Sequence, residues 1–413
     1  MGWRARGGLK VAFALESAGW EEQDIRSRVG ETFEELGLTA LAGRDIFRLS
    51  GGERQKVACA SIWAMHPSIL LLDEPTSNLD LPSIADMASF VRHAKAKGCA
   101  ILVAEHRLSW LTGIADRYVY LKEGRVSRTM EAAEFLALDV SELEHMGLRS
   151  RSLGEVAPTT APASANPVGR GDVLLAARDL SVSYGGDPVL SKVTMELHTG
   201  EVTALVGRNG AGKTTLCRAL CGFERRVQGP VLLGGTPSSR KRRLRASAMV
   251  FQDVNYQLFA ESVRDEVTFG LSRREAAGVD VDRILRSLAL EGLDGRHPAT
   301  LSGGQKQRLS VAACVAADKR VLVFDEPTSG LDLDGMQRIA RLLGRLADQG
   351  CAILVVTHDL ELVASACERA LCLKDGHAGP PVPVKARFDR VRDMIGVPAP
   401  RQGGSYGREQ GHA

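Results

Sequence analysis

An α/β fold built in two unequal copies is what this sequence predicts, and three observations carry the prediction. Apolar runs such as RVLVFDEP and AILVVTHD stop at charged residues, the pattern of parallel strands buried on both faces that deliver polar groups to the carboxyl edge of a sheet. EVTALVGRNGAGKTTL passes from such a run through glycines into a helical pattern, a strand–loop–helix unit. The chain also repeats itself: LSGGERQK begins at Leu49 and LSGGQKQR at Leu301, LLLDEPTSNLD and LVFDEPTSGLD align Asp73 with Asp325, and LVAEH and LVVTH align His106 with His358, always 252 residues apart.

With 413 residues, 44% of them hydrophobic, the chain has room for two globular units of roughly 200 residues each. Lysine plus arginine number 53 and aspartate plus glutamate 50, a formal charge of +3 that argues against a general polyanion binder, so no nucleic-acid partner is expected. The eight cysteines form no CxxC pair and fall mostly in apolar stretches, which reads as free thiols in a reducing compartment. MGWRARGGLK is followed by no apolar h-region, and no run approaches the roughly 20 apolar residues of a spanning helix. A cytosolic or peripheral chain is expected, with any membrane path formed by another polypeptide.

Domain boundaries follow from composition. GEVAPTTAPASANPVGRG (Gly154 to Gly171) is poor in large apolar residues and reads as a solvated linker, so the expected division is a first unit over 1–150, a linker over 151–172, a second unit over 173–377 and a tail over 378–413. In the tail, KARFDRVRDMIGV fits one short amphipathic helix and the end is expected to be disordered. The copies are unequal, with only 48 residues ahead of Leu49. KVAFALESAG (Lys10 to Gly19) resembles EVTFGL (Glu266 to Leu271), so the first copy joins the pattern late, and an incomplete gene product is the expectation.

The chemistry concentrates in the second copy. The loop GRNGAGKT fits GxxxxGK[ST]: Gly207, Asn209, Gly210 and Gly212 let backbone N–H groups wrap phosphates, Lys213 reaches their oxygens, and the hydroxyls of Thr214 and Thr215 stand at the positive end of a helix, Thr214 placed to ligate Mg²⁺. Asp325, at the end of an apolar strand, is the second candidate metal ligand. Glu326 is the candidate general base that polarises water, and His358, just past another strand, is the candidate contact to a γ-phosphate.

Together these residues resemble the nucleotide-binding domains of the ATP-binding-cassette (ABC) family. LSGGQ looks like the family signature, DEPTSGLD like its Walker B and D-loop, Gln252 in VFQD like its Q-loop glutamine, and Tyr184 sits where an adenine-stacking aromatic belongs. The resemblance implies a P-loop NTPase fold of ABC type: a parallel core sheet flanked by helices, an antiparallel β subdomain and a helical signature subdomain, in two copies with the first truncated. It implies ATP and Mg²⁺ as cofactors, catalysis by Glu326, His358 and Gln252, and metal contact from Thr214, Gln252 and Asp325. The first copy would then lack the Walker A strand and the Q-loop, leaving SILLLDEP and CAILVAEH with unpaired edges and uncovered apolar faces.

Family members sandwich each ATP between the phosphate loop of one domain and the signature of another. Paired in cis, Ser50, Gly51 and Gly52 face ATP held by Lys213, while Ser302, Gly303 and Gly304 face no phosphate loop; paired between two chains, Ser302 faces the other chain's Lys213. The segment FQDVNYQLFAESVRDEVTFGL resembles energy-coupling-factor importers of vitamins and metal ions. That implies a transmembrane coupling protein and a substrate-binding membrane protein as partners, and a place at the cytoplasmic face of the membrane. The alternatives are a soluble tandem ATPase acting on ribosomes and an inactive truncated fragment.

Overall fold

The computed structural model describes residues 7–49, 51–77, 79–159 and 171–397. In the first unit, helices Gly7–Ser17, Glu22–Glu35 and Gly51–Trp63 close around Val11, Leu15, Phe33 and Val57. Strands β1 (Ile69–Asp73) and β2 (Ala100–Ala104) pair in parallel, with Ile69 opposite Ala100 and Asp73 opposite Ala104. Helix Leu81–Ala96 covers one face of this pair, packing Ile84, Met87 and Val91 near Leu70. Strands β3 (Arg117–Lys122) and β4 (Arg125–Glu131) form a separate antiparallel hairpin.

The second unit opens with β5 (Val173–Tyr184) and β6 (Asp187–His198), then β7 (Glu201–Val206), β8 (Val231–Leu233), β9 (Thr236–Pro237) and β10 (Ser247–Val250). After a helical region come β11 (Val321–Asp325), β12 (Ala352–Val356), β13 (Arg369–Lys374), β14 (His377–Ala378) and β15 (Val382–Pro383). The order β6-β5-β8-β9 makes an antiparallel sheet; β10-β11-β12-β7-β13-β14, with β15 against β13, makes the core sheet. Every residue of β7, β11 and β12 is buried, as expected of central parallel strands written as unbroken apolar runs.

β1, β2 and β3 repeat β11, β12 and β13, but β7 lies between β12 and β13 while no described strand lies between β2 and β3. Sequences suited to burial on both faces are therefore covered on one. Ile69, Leu71 and Leu102 are 65%, 68% and 63% exposed, the uncovered apolar face expected from the sequence.

Two compositional expectations need correction. The linker does not begin as a solvated segment: Val156 is buried in the core of the second unit, the Thr159 N–H donates to the Ala364 carbonyl at 3.1 Å, and Arg392 donates to the carbonyls of Gly154 and Val156. One valine with a pocket outweighs the polarity of its neighbours. The tail likewise belongs to the second unit as far as residue 397, since β15 pairs with β13 and helix Phe388–Ile395 buries Val391 and Ile395. The end expected to be disordered lies outside the described residues, as do residues 160–170 of the linker.

Candidate active site

The phosphate loop connects β7 to helix Lys213–Cys221. Two of its glycines are required sterically: at Gly207 (φ 146°) a Cβ would strike the Leu373 carbonyl, and Gly212 (φ 97°) adopts a left-handed turn against Val189 and Leu190. Lys213 folds back into the loop and donates to the carbonyls of Gly207 and Arg208 and to Nε2 of His358, 3.0 Å away. Burial lowers the Lys213 pKa against the pull of Glu326 and Asp325, so an incoming polyanion would find a desolvated ammonium.

At the end of β11, Asp325 accepts a hydrogen bond from the Thr214 hydroxyl at 2.7 Å. Burial pushes the Asp325 carboxyl up despite Thr214 and Lys213, a cost that a bound cation would relieve. One carboxylate, one hydroxyl and the nearby Gln252 suit a Mg²⁺ ion that completes its shell with phosphate oxygens and water. The next residue, Glu326, is nearly fully buried and held at φ 52°, a left-handed conformation uncommon outside glycine. Its N–H donates to the Val356 carbonyl at 2.9 Å, tying β11 to β12, and its carboxylate lies 3.6 Å from His358 Nε2. Burial raises the Glu326 pKa to about 7, while burial and Lys213 depress His358 to about 3. A neutral imidazole thus stands beside a carboxyl poised near neutrality, the value that suits a general base.

The first unit completes the surroundings. A cavity of about 1100 Å³ is lined on one side by Asn209, Gly210 and Gly212 through Thr215, and on the other by Gly51, Arg54 and Gln55 of the first unit. The same cavity is also lined by Ser302, Gly303 and Gly304 and by Glu74 and His106. Ser302 caps helix Gly303–Ala316 in a reciprocal box with Gln305. Two contacts join the units beside this cavity: Asp80 Oδ2 accepts the Asn209 N–H at 2.9 Å, and the Ser329 hydroxyl donates to the Ser77 carbonyl at 2.8 Å.

The chain matches the family model described as ABC transporter over residues 10–77 and 190–329. A Treponema denticola protein, provisionally named an ABC transporter ATP-binding protein, is 41% identical over 89% of this chain and 75% of its own length. The chain belongs to the ABC transporter ATPase family. A Bacillus subtilis relative, provisionally named an HMP/thiamine import ATP-binding protein, is 31% identical over 89% of this chain and 71% of its own length. Among solved structures, an archaeal ribosome recycling factor in complex with a ribosomal stalk protein superposes with a TM-score of 0.61 at 25% identity, over 94% of this chain and 73% of that one.

As an ABC ATPase of two copies, the chain has two differently charged halves to its cavity. In the second unit the Glu326 pKa is raised and that of His358 lowered. In the first the shifts reverse: hydrogen bonding to His106 lowers the Glu74 pKa, and the same contact raises that of His106, the two lying 3.4 Å apart. Glu74 and His106 are more exposed than Glu326 and His358. Glu74 shares the left-handed backbone of Glu326, at φ 43°, so the repeat extends to conformation while the electrostatics diverge.

Most residues expected at the ABC site converge on the cavity. Tyr184 and His358 do not line it: Tyr184 stands at the end of β5 with its hydroxyl donated to Glu224 at 2.6 Å, and His358, expected to contact a γ-phosphate, is buried against Lys213, whose Nζ lies 3.0 Å from its Nε2. Gly52 is buried under Ser83 of the neighbouring helix, and Gly207 supports the loop from behind. Ser50 lies outside the described residues. Sequence reasoning missed Asp80 and Ser77, although the D-loop containing them was recognised. It also missed Arg107, whose charge acts on Glu326, His358 and Asp359 and whose Nη2 is buried without a hydrogen-bond partner among the described residues.

Proposed function

We propose that this chain is the ATP-hydrolysing subunit of a membrane transporter, with one competent site assembled in cis. The observation that carries the reading is the cavity in which Lys213 and Thr214 face Gly51, Arg54 and Gln55 of the other unit, closed by Asp80 on Asn209. Lys213, the loop N–H groups and the opposed signature bind the phosphates. Glu326 takes the proton of the attacking water, and His358, neutral and held by Lys213, fixes the position of that carboxylate. Thr214, Asp325 and Gln252 would hold Mg²⁺, which supplies charge neutralisation at the phosphate oxygens. No hydrolytic role is assigned to Glu74 and His106, whose side chains are more exposed than those of Glu326 and His358.

An energy-coupling-factor importer of a vitamin or metal ion is the favoured setting. Phe259 and Phe269 stand 67% and 57% exposed with ring centroids 6.0 Å apart, beside exposed Tyr256, in the segment that resembles those importers. Phe13, the first copy's counterpart of Phe269, is 65% exposed. Such aromatics suit helices of a transmembrane coupling protein, with a substrate-binding membrane protein beyond it and the chain at the cytoplasmic face. No helix among the described residues is long and apolar enough to cross a membrane. The likeness to an archaeal ribosome recycling factor favours a second reading, a soluble tandem ATPase on ribosomes.

A matched pair of variants tests the site. A Cβ at Gly51 or at Gly303 meets nothing within 4 Å, so both positions tolerate a side chain that would project toward the nucleotide. Loss of ATP turnover in Gly51→Arg but not in Gly303→Arg, from a chain monomeric with ATP, supports the site in cis; loss only in Gly303→Arg, from an ATP-dependent dimer, refutes it. Membrane against ribosome co-sedimentation separates the two settings.

A further inference from the structure

Arg149 belongs to the first unit, yet among the described residues its side-chain hydrogen bonds go to the second. It is 2% exposed; Nε donates to Glu361 Oε2 at 2.7 Å, Nη2 to Asp359 Oδ2 at 2.5 Å and Nη1 to the Leu331 carbonyl at 3.2 Å. The Ser150 N–H adds a fourth bond, to Glu361 Oε1 at 2.9 Å. Asp359 follows His358 directly, and its Oδ2 also accepts the Thr328 hydroxyl at 2.7 Å while Oδ1 caps the helix Leu360–Ala366. Thr328 and Leu331 lie in the loop that leaves Glu326. One guanidinium therefore joins the loop after the candidate base to the loop after the candidate histidine.

The brace is one-sided. At the positions of Asp359 and Glu361 the first copy carries Arg107 and Ser109, and Thr76, the counterpart of Thr328, donates instead to Glu105 at 2.5 Å. The acid pair that receives Arg149 exists only beside Glu326 and His358. A buried guanidinium between two carboxylates gains little net stability over apolar packing, but it fixes its partners in a planar, directional arrangement.

We infer that Arg149 is a positioning residue for ATP hydrolysis, donated by the incomplete copy to hold Glu326 and His358 of the complete one in working register. This rests on the site assembled in cis. The first unit then contributes to turnover twice, through the signature that faces the nucleotide and through a side chain that never touches it.

The test is steady-state turnover of the full chain, with nucleotide affinity measured separately, for Arg149→Met, Arg149→Lys and the double variant Arg149→Met with Asp359→Asn. The double variant leaves no unpaired Asp359 charge and keeps the helix cap, while the half-buried Glu361 retains the Ser150 N–H as a partner. Expected for both Met variants is a kcat lower by about tenfold or more with ATP affinity within about threefold, since positioning acts on the transition state. Arg149→Lys, a point charge without the fork, recovers part of that kcat. Unchanged kcat in the double variant overturns the inference, as does loss of affinity in step with kcat or a lysine variant no better than methionine. If Gly51→Arg leaves turnover intact, the site in cis falls and the inference with it; if Gly51→Arg abolishes turnover while the Met variants do not reduce it, the inference alone falls.

Discussion

Asp80 accepts the backbone N–H of Asn209 at 2.9 Å, although the two residues are 129 apart in the chain. Its other oxygen accepts the Ser83 N–H at 3.1 Å and caps the helix Leu81–Ala96. One carboxylate thus anchors a helix of the first unit and shapes the phosphate loop of the second. Asp80→Ala is expected to lose about 1 kcal/mol of cap stability and to weaken ATP turnover, whereas Asp80→Asn keeps the acceptor and loses less of both. Thermal unfolding and ATPase rates of the two variants check this.

Glu326→Gln removes the base and keeps the shape. It is expected to bind ATP normally and to turn over about 100-fold or more slowly, as loss of an oriented base should. Single-turnover kinetics decides it, and near-normal hydrolysis would remove Glu326 from the mechanism.

The pH dependence carries a sign. Glu326 acts as base only when ionised, and burial places its pKa at about 7, so kcat should fall as pH drops through that value. His358, depressed to about 3, stays neutral throughout and contributes no second limb in this range. Removing the Arg107 charge, which pulls the Glu326 pKa down, should move the limb to higher pH. A limb unmoved in Arg107→Gln would show that this arginine does not act on the base.

The two histidines should differ in consequence. His358→Ala is expected to reduce turnover at least about tenfold, whereas His106→Ala, which breaks only the half-buried pair with Glu74, should change it less than about threefold. Equal losses would mean that both halves hydrolyse ATP.

The uncovered face of β1 and β2 predicts association rather than catalysis. Leu71→Thr combined with Leu102→Thr should reduce apolar dye binding and aggregation, with turnover within about twofold of the parent. Dye fluorescence and light scattering provide the measure.

The second unit's strands, phosphate loop and acids were legible because each signal is local: an apolar run ending in Asp325 and Glu326, or glycines between β7 and its helix, needs only neighbouring residues to be read. Asp80, Arg107 and Arg149 were not. They are single charged residues in loops, and their partners in the second unit lie 129 residues away for Asp80 and 182 or more for Arg149, beyond any periodicity. Val156 was lost for a related reason, since averaging over a Pro- and Ala-rich stretch hides one side chain that finds a pocket. The missing strand between β2 and β3 followed from comparing the copies, which is itself sequence information.

The position of Arg149 ahead of its partners orders events during synthesis. A two-stranded pair such as β1 and β2 is not stable alone, and the groups that hold the first unit's Arg149 lie 182 to 212 residues further along the chain. At about 5–20 residues per second, the first unit spends on the order of ten to forty seconds outside the ribosome before those groups are made. During that interval Arg149 has none of the partners that bury it, and its place between the two loops is set only once the second unit has been made.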